Sequence, residues 1–173
     1  MLEGKKIRLR NLQLNDFTKT VIWRRDRDVK KYAMMHPFPV TDELEETWYK
    51  SYLTSKDNHQ IYFGIEEKTQ EELVGYIQLK NINWLSRNCD LGIVIGSQSA
   101  RGHGYGYEAM ELILDYVFNS LNLHKISLKV ISFNQTALNL YKKLGFLIEG
   151  TLKEHYWTDG QYYDVYILGK LNN

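Results

Sequence analysis

Apolar and polar residues alternate with period two in Ile7-Arg8-Leu9-Arg10, which predicts a first strand. Asn15-Asp16 offers a helix start ahead of Phe17, Val21 and Trp23. Both prolines fall in His36-Pro37-Phe38-Pro39. A residue before proline is driven out of helical geometry, so this stretch reads as extended or turn. After Thr41, the apolar positions Leu44, Trp48 and Tyr52 recur every four residues and predict an amphipathic helix to about Leu53.

The middle of the chain changes period. Gln60 to Ile65, Leu73 to Leu79 and Asp90 to Ile95 are strand-like runs separated by polar turns. Ala109, Leu112, Ile113, Tyr116 and Val117 then share one helical face, with Glu108, Glu111 and Asp115 opposite. Lys125 to Ile131 returns to strand alternation. Asn134 suits an N-cap for a short helix bearing Ala137, Tyr141 and Leu144, and Gly145 suits its end. Two last strands, about Phe146 to Tyr156 and Tyr162 to Leu168, flank a turn at Thr158-Asp159-Gly160. The order βααβββαβαββ describes one α/β domain over residues 1–173, a mixed sheet of about seven strands with four helices.

Composition narrows the classes. The 173 residues carry 22 Lys and Arg against 21 Asp and Glu, a net charge of +1, so no global positive excess is present to neutralise nucleic-acid phosphates. No apolar run approaches the ~18 residues of a membrane-crossing helix. The N-terminal lysines are followed by no apolar stretch, so no signal peptide is expected. The lone Cys89 excludes an intramolecular disulfide, and a cytoplasmic protein is the expectation. His36, His59, His103, His124 and His155 are scattered without ligand spacing, so no metal is expected.

The chemistry concentrates where the strand ending at Ile95 runs through Arg101-Gly102-His103-Gly104-Tyr105-Gly106 into a helix. Three alternating glycines leave backbone N–H groups uncovered at the positive end of a helix dipole, a setting for a phosphate. A bare turn needs fewer glycines. A dinucleotide fingerprint does not fit, since Tyr107 or Ala109 falls where its last glycine belongs. Gly145 and Gly150 lack the Lys-Ser/Thr of a P-loop.

The Arg101-x-x-Gly104-x-Gly106 pattern resembles the pyrophosphate motif of the GNAT superfamily of acyl-CoA-dependent N-acetyltransferases. Asn134-x-x-Ala137, Tyr141 and Gly145-Phe146 are similar to that family's later hallmark, and Asp159-Gly160-Gln161-Tyr162-x-Asp164 resembles the branch that acetylates ribosomal-protein N-termini, polyamines and amino sugars. The resemblance covers nearly the whole chain, most closely Asp90 to Asp164. It implies a twisted, mostly antiparallel sheet and direct transfer of an acetyl group from acetyl-CoA to a primary amine in a ternary complex.

The resemblance also implies roles. Arg101, Gly102, His103, Gly104, Tyr105 and Gly106 would hold the cofactor's pyrophosphate, with Val94 and Ile95 on the pantetheine and thioester. Asn134 would serve the thiol side. Tyr141 would protonate the leaving thiolate, a general-acid contribution of ~10²–10⁴-fold. Packing alone is the competing reading for Tyr141, and a plain N-cap for Asn134. Asp90 is the first candidate for general base, ahead of Glu66 and Glu149. Trp23-Arg24-Arg25-Asp26-Arg27-Asp28 reads as a solvated helix end, from which Trp23 and Arg24 could reach an acceptor pocket. The expected partner is a small-molecule or peptide amine, with neither nucleic acid nor membrane, and a homodimer stays open. The alternative is a non-catalytic acyl-CoA sensor or regulatory module; a nucleotide-binding domain is the remaining class.

Overall fold

The computed structural model describes residues 1–172. Its elements run β1 (Leu2–Glu3), β2 (Ile7–Asn11), α1 (Phe17–Arg25), α2 (Arg27–Tyr32), α3 (Asp42–Thr54), β3 (Ile61–Glu67), β4 (Glu72–Asn83) and β5 (Asn88–Ile95). Then come α4 (Tyr105–Asp115), β6 (Lys125–Ile131), α5 (Gln135–Lys143), β7 (Leu147–Thr158) and β8 (Gln161–Leu171). A π-helical turn, Tyr116–Ser120, extends α4.

The described residues thus form eight strands and five α-helices where the sequence pattern gives seven and four. The added strand is the two-residue β1, which pairs Leu2 with Leu9 and is too short to show a period. The added helix, α2, exists because the chain breaks to extended geometry at Asp26, whose carboxylate then accepts the Val29 N–H at 2.9 Å. An Asp with an extended backbone and a free carboxylate is a strong N-cap. With Val29 as its one buried residue, so short a helix leaves no periodic signature.

All eight strands lie in one sheet, in the order β1-β2-β3-β4-β5-β6-β8-β7. Every neighbouring pair is antiparallel except β5 and β6. That parallel ladder covers only Asn88–Asp90 against Lys125–Ser127. Beyond it β5 stays with β4 as far as Ile95, while β6 stays with β8 as far as Ile131. The sheet therefore splays open from Leu91 and Leu128 onward, and the site lies there.

The two faces of the sheet divide the labour. Ile7, Leu9, Ile65, Ile77 and Leu79 pack with Met110 and Ile113 of α4 in the main core. Met110 and Ile113 are fully buried, each contributing about 1.5–3 kcal/mol relative to exposure. On the other face, Trp23 and Val29 pack on Leu73 and Val94 and dock α1 and α2. Gly96 permits this contact, since a Cβ there would fall 1.9 Å from the Trp23 ring.

The expected apolar stripe of α3 is rotated. Its buried residues are Glu45 and Tyr49, whereas Leu44 is 61% exposed. A carboxylate occupies a core position there because a hydroxyl and a guanidinium receive it, as described below.

Candidate active site

The glycine loop is built by backbone torsions. A 3-10 turn, Gln98–Ala100, leads to an extended Arg101, and Gly102 (φ +80°) and Gly104 (φ +83°) both enter the left-handed region. A Cβ on Gly102 would meet nothing within 4 Å, so conformation and not crowding asks for glycine there. Gly104 is the N-cap of α4 and provides no side chain to receive the first-turn N–H groups. The first bond closing the helix is Glu108 N–H to the Gly104 carbonyl, at 3.1 Å. The N–H groups of Tyr105, Gly106 and Tyr107 precede it, at the positive end of an eleven-residue helix.

This loop closes one end of a cavity of about 940 Å³ that runs along the splay between β5 and β6. Arg101, Gly102, Gly104, Tyr105 and Gly106 line the loop end, Val94 and Ile95 the β5 wall, and Asn134 and Tyr141 the α5 wall. The structure thus gathers nine of the eleven residues singled out from sequence around one space. His103 is outside that wall: its ring stacks on Tyr105 at 5.6 Å, and its Nδ1 lies 3.0 Å from the Arg101 carbonyl. Asp90 is outside it too. Its carboxylate is exposed and accepts from Asn81 Nδ2 at 2.8 Å, just where the parallel ladder ends.

The other two carboxylates considered from sequence are committed elsewhere. Glu66 is buried between Arg8 and Arg10, and Glu149 pairs with Lys125 at 2.8 Å. Asn134 behaves as a cap, accepting the Ala137 N–H at 3.1 Å. Two helical turns on, Tyr141 is 7% exposed, and burial pushes its phenol up to about 12. It therefore stays protonated throughout the neutral range. Among the described residues no group of three or more His, Cys, Asp or Glu is placed to hold a metal ion.

The far end of the cavity lies under α1 to α3. Its floor follows from strand register: Tyr62 pairs with Gln78, which pairs in turn with Gly92, and Tyr76 pairs with Val94, all on one side of the sheet. Trp48 and Tyr62 meet edge to face at 5.0 Å. Glu45, 2% exposed, accepts from Thr20 Oγ1 at 2.8 Å and from Arg24 Nη1 at 2.5 Å. Of the sequence pair considered for this wall, Arg24 lines it, while Trp23 is buried beside Gly96. Glu45, Trp48, Tyr62 and Lys80 also line the cavity. From sequence Glu45 reads, with Glu43 and Glu46, as an acid available to a polyamine acceptor and Trp48 as a core or interface residue, while Tyr62 and Lys80 are not singled out. The available signal was Glu45, a carboxylate one turn from Tyr49 on the same helical face.

The loop, the splay and the long cavity fit a phosphate-bearing cofactor with a thin arm. Residues 6–147 match the model of the GNAT acetyltransferase domain. The chain belongs to the GNAT family. It is 34% identical over 162 residues to the spermidine N(1)-acetyltransferase of Vibrio cholerae, covering 94% of this chain and 91% of that one. The crystal structure of spermidine N-acetyltransferase from Vibrio cholerae in complex with CoA and spermine superposes with a TM-score of 0.87 at 33% identity, over 97% of this chain and 96% of that one. A ribosomal-protein alanine N-acetyltransferase of Escherichia coli is 30% identical over 110 residues, 63% of this chain and 56% of that one. This GNAT protein is an acetyl-CoA-dependent N-acetyltransferase that transfers an acetyl group to a primary amine.

Proposed function

We propose that this GNAT protein acetylates the primary amine of a small molecule by direct transfer, with cofactor and acceptor entering the two ends of one cavity. The observation that carries this reading is the continuity of that cavity from the glycine loop, past Val94, Ile95 and Tyr141, to the pocket under α1 to α3. Acetyl-CoA supplies the activated acetyl group. Backbone N–H groups from Gly102 to Tyr107 hold the pyrophosphate, and Arg101 adds positive charge at the loop. The exposed backbone of Val94 and Ile95 orients the pantetheine and receives the oxyanion. Such a donor is typically worth ~3–4 kcal/mol.

Tyr141 donates the proton to the departing thiolate. Asn134 acts by fixing the start of α5 and hence the height of Tyr141. Asp90 accepts the amine proton only through water, because its carboxylate stands outside the cavity wall. His103 contributes its backbone rather than its ring.

Relatives named for spermidine make it the amine against which other acceptors are compared. The whole chain acts as one acyltransferase domain, in the cytoplasm, where its single unpaired Cys89 stays reduced. A homodimer stays open as the assembly; a dodecameric structure is described for spermidine N-acetyltransferase from Vibrio cholerae. No helix among the described residues is long and apolar enough to cross a membrane.

Thiol release from acetyl-CoA, followed across N-terminal peptides, polyamines and amino sugars, tests the reading. Turnover of small amines over peptides is expected. Tight acetyl-CoA binding with silence across the panel would favour the regulatory module instead.

A further inference from the structure

The acceptor end of the cavity is basic, and its buried acid is already spent. Glu45 is saturated by Thr20 and Arg24, and the second amino group of Arg24 sits 3.3 Å from His36 Nε2. Lys80 lines the same end with no ion pair among the described residues, its ammonium 5.7 Å from the centroid of the Tyr62 ring. Its pKa is held down by burial first and by the neighbouring Arg24 second. Lys129, on β6, adds a further cation to the wall, exposed as Lys80 is. Against these, Asp28 is the one lining carboxylate without a partner among the described residues, and it is exposed on α2.

A polycation entering here meets like charge with a single free carboxylate to offset it, and like-charge juxtaposition at a recognition site is unfavourable. We infer that the acceptor is a primary amine whose own molecule also carries an anionic group, a phosphate or a carboxylate, which docks against Lys80 on the side held by Arg24. This rests on the transferase reading above and specifies its substrate class. The aromatic walls of Trp48 and Tyr62 add an apolar surface for the body of that molecule, leaving its amine to reach the splay at Val94 and Ile95.

The test pairs amines that differ mainly in charge: glucosamine 6-phosphate with glucosamine, 6-aminohexanoate with hexylamine, and spermidine as the polycation. A charge-assisted contact predicts that the anionic member of at least one pair exceeds its partner by about 10-fold or more in kcat/KM. Which pair responds tells phosphate from carboxylate. Lys80→Gln should erase that preference with KM for acetyl-CoA unchanged, and Lys80→Glu should shift preference toward spermidine. Calorimetry with the CoA-bound protein measures the same preference without turnover.

Charge-selective binding without turnover would uphold the inference and remove the transferase reading. Turnover of spermidine at or above the anionic amines, or indifference of both readouts to charge, would overturn the inference while leaving the transferase reading in place.

Discussion

Glu45 and Arg24 meet at 2.5 Å across the wall between α3 and α1, with the carboxylate almost wholly buried and the guanidinium about a quarter exposed to the cavity. The pair ties two helices together and neutralises the buried acid at that end of the cavity. Each partner explains the other: a lone carboxylate at that depth would be prohibitive.

Replacing Glu45 by Ala should therefore destabilise the protein by about 2–3 kcal/mol. The figure lies at the low end for a broken buried pair because Arg24 can still reach water. Urea denaturation checks it, and an unchanged midpoint would show that the pair contributes nothing to folding. The pocket should also become more basic, so KM for the amine should move while KM for acetyl-CoA stays.

Tyr141→Phe tests the proton donor. If the hydroxyl protonates the departing thiolate, kcat falls by at least about 10-fold with little change in KM for acetyl-CoA. The ring remains to pack near Phe146, whose centroid is 5.9 Å away. Loss confined to KM would assign Tyr141 to positioning.

Gly104→Val forces a β-branched residue into φ +83° at the N-cap of α4. Strain of about 1–3 kcal/mol is expected, and the first-turn N–H groups should tilt away from the pyrophosphate. CoA affinity measured by calorimetry should drop by about 10-fold or more, the loss expected when charge-assisted bonds are misaligned. Full affinity would mean that the loop does not hold the phosphates.

Alkaline stability follows from buried phenols and the thiol. Burial raises Tyr62, Tyr141 and Cys89 to about 12 each. These groups bind protons more tightly when folded than when unfolded, where the phenols titrate near ~10 and the thiol near ~8.5. Their contribution is complete below those unfolded values and is lost as pH rises through the folded ones. Urea midpoints should thus fall from about pH 8.5 to pH 12, with tyrosinate absorbance rising in a late phase that accompanies unfolding. At pH 8 the Cys89 thiol, 2% exposed, should react with a thiol reagent only when the protein unfolds.

The strands other than β1, the glycine loop and α5 were legible because each is a local pattern. Period-two alternation marks β2 and β6, positive-φ glycines mark the loop, and Asn134 caps the helix that bears Tyr141. Most of the cavity's loop end was legible for the same reason, since it is largely backbone in sequence order. His103 illustrates the limit: its place in the loop was evident, but which way its ring turns depends on Tyr105 and the Arg101 carbonyl.

The end of the cavity under α1 to α3 was settled by contacts between distant segments. Arg24 of α1, Glu45 of α3, Tyr62 of β3 and Lys80 of β4 lie far apart in sequence and converge only when the helices pack on the sheet. Asp90 shows the same from the other direction. Its place in a strand was legible, but the ladder to β6 ends at that residue, and its carboxylate lies beside Asn81 and outside the cavity wall. Sequence by itself carried the strand and helix periods and, through the resemblance of the Arg101–Gly106 and Asn134–Phe146 motifs, the family and the acetyl chemistry that resemblance implies. Tertiary packing alone decided the charge of the acceptor pocket, because a side chain's electrostatic role is set by which partners the fold brings to it.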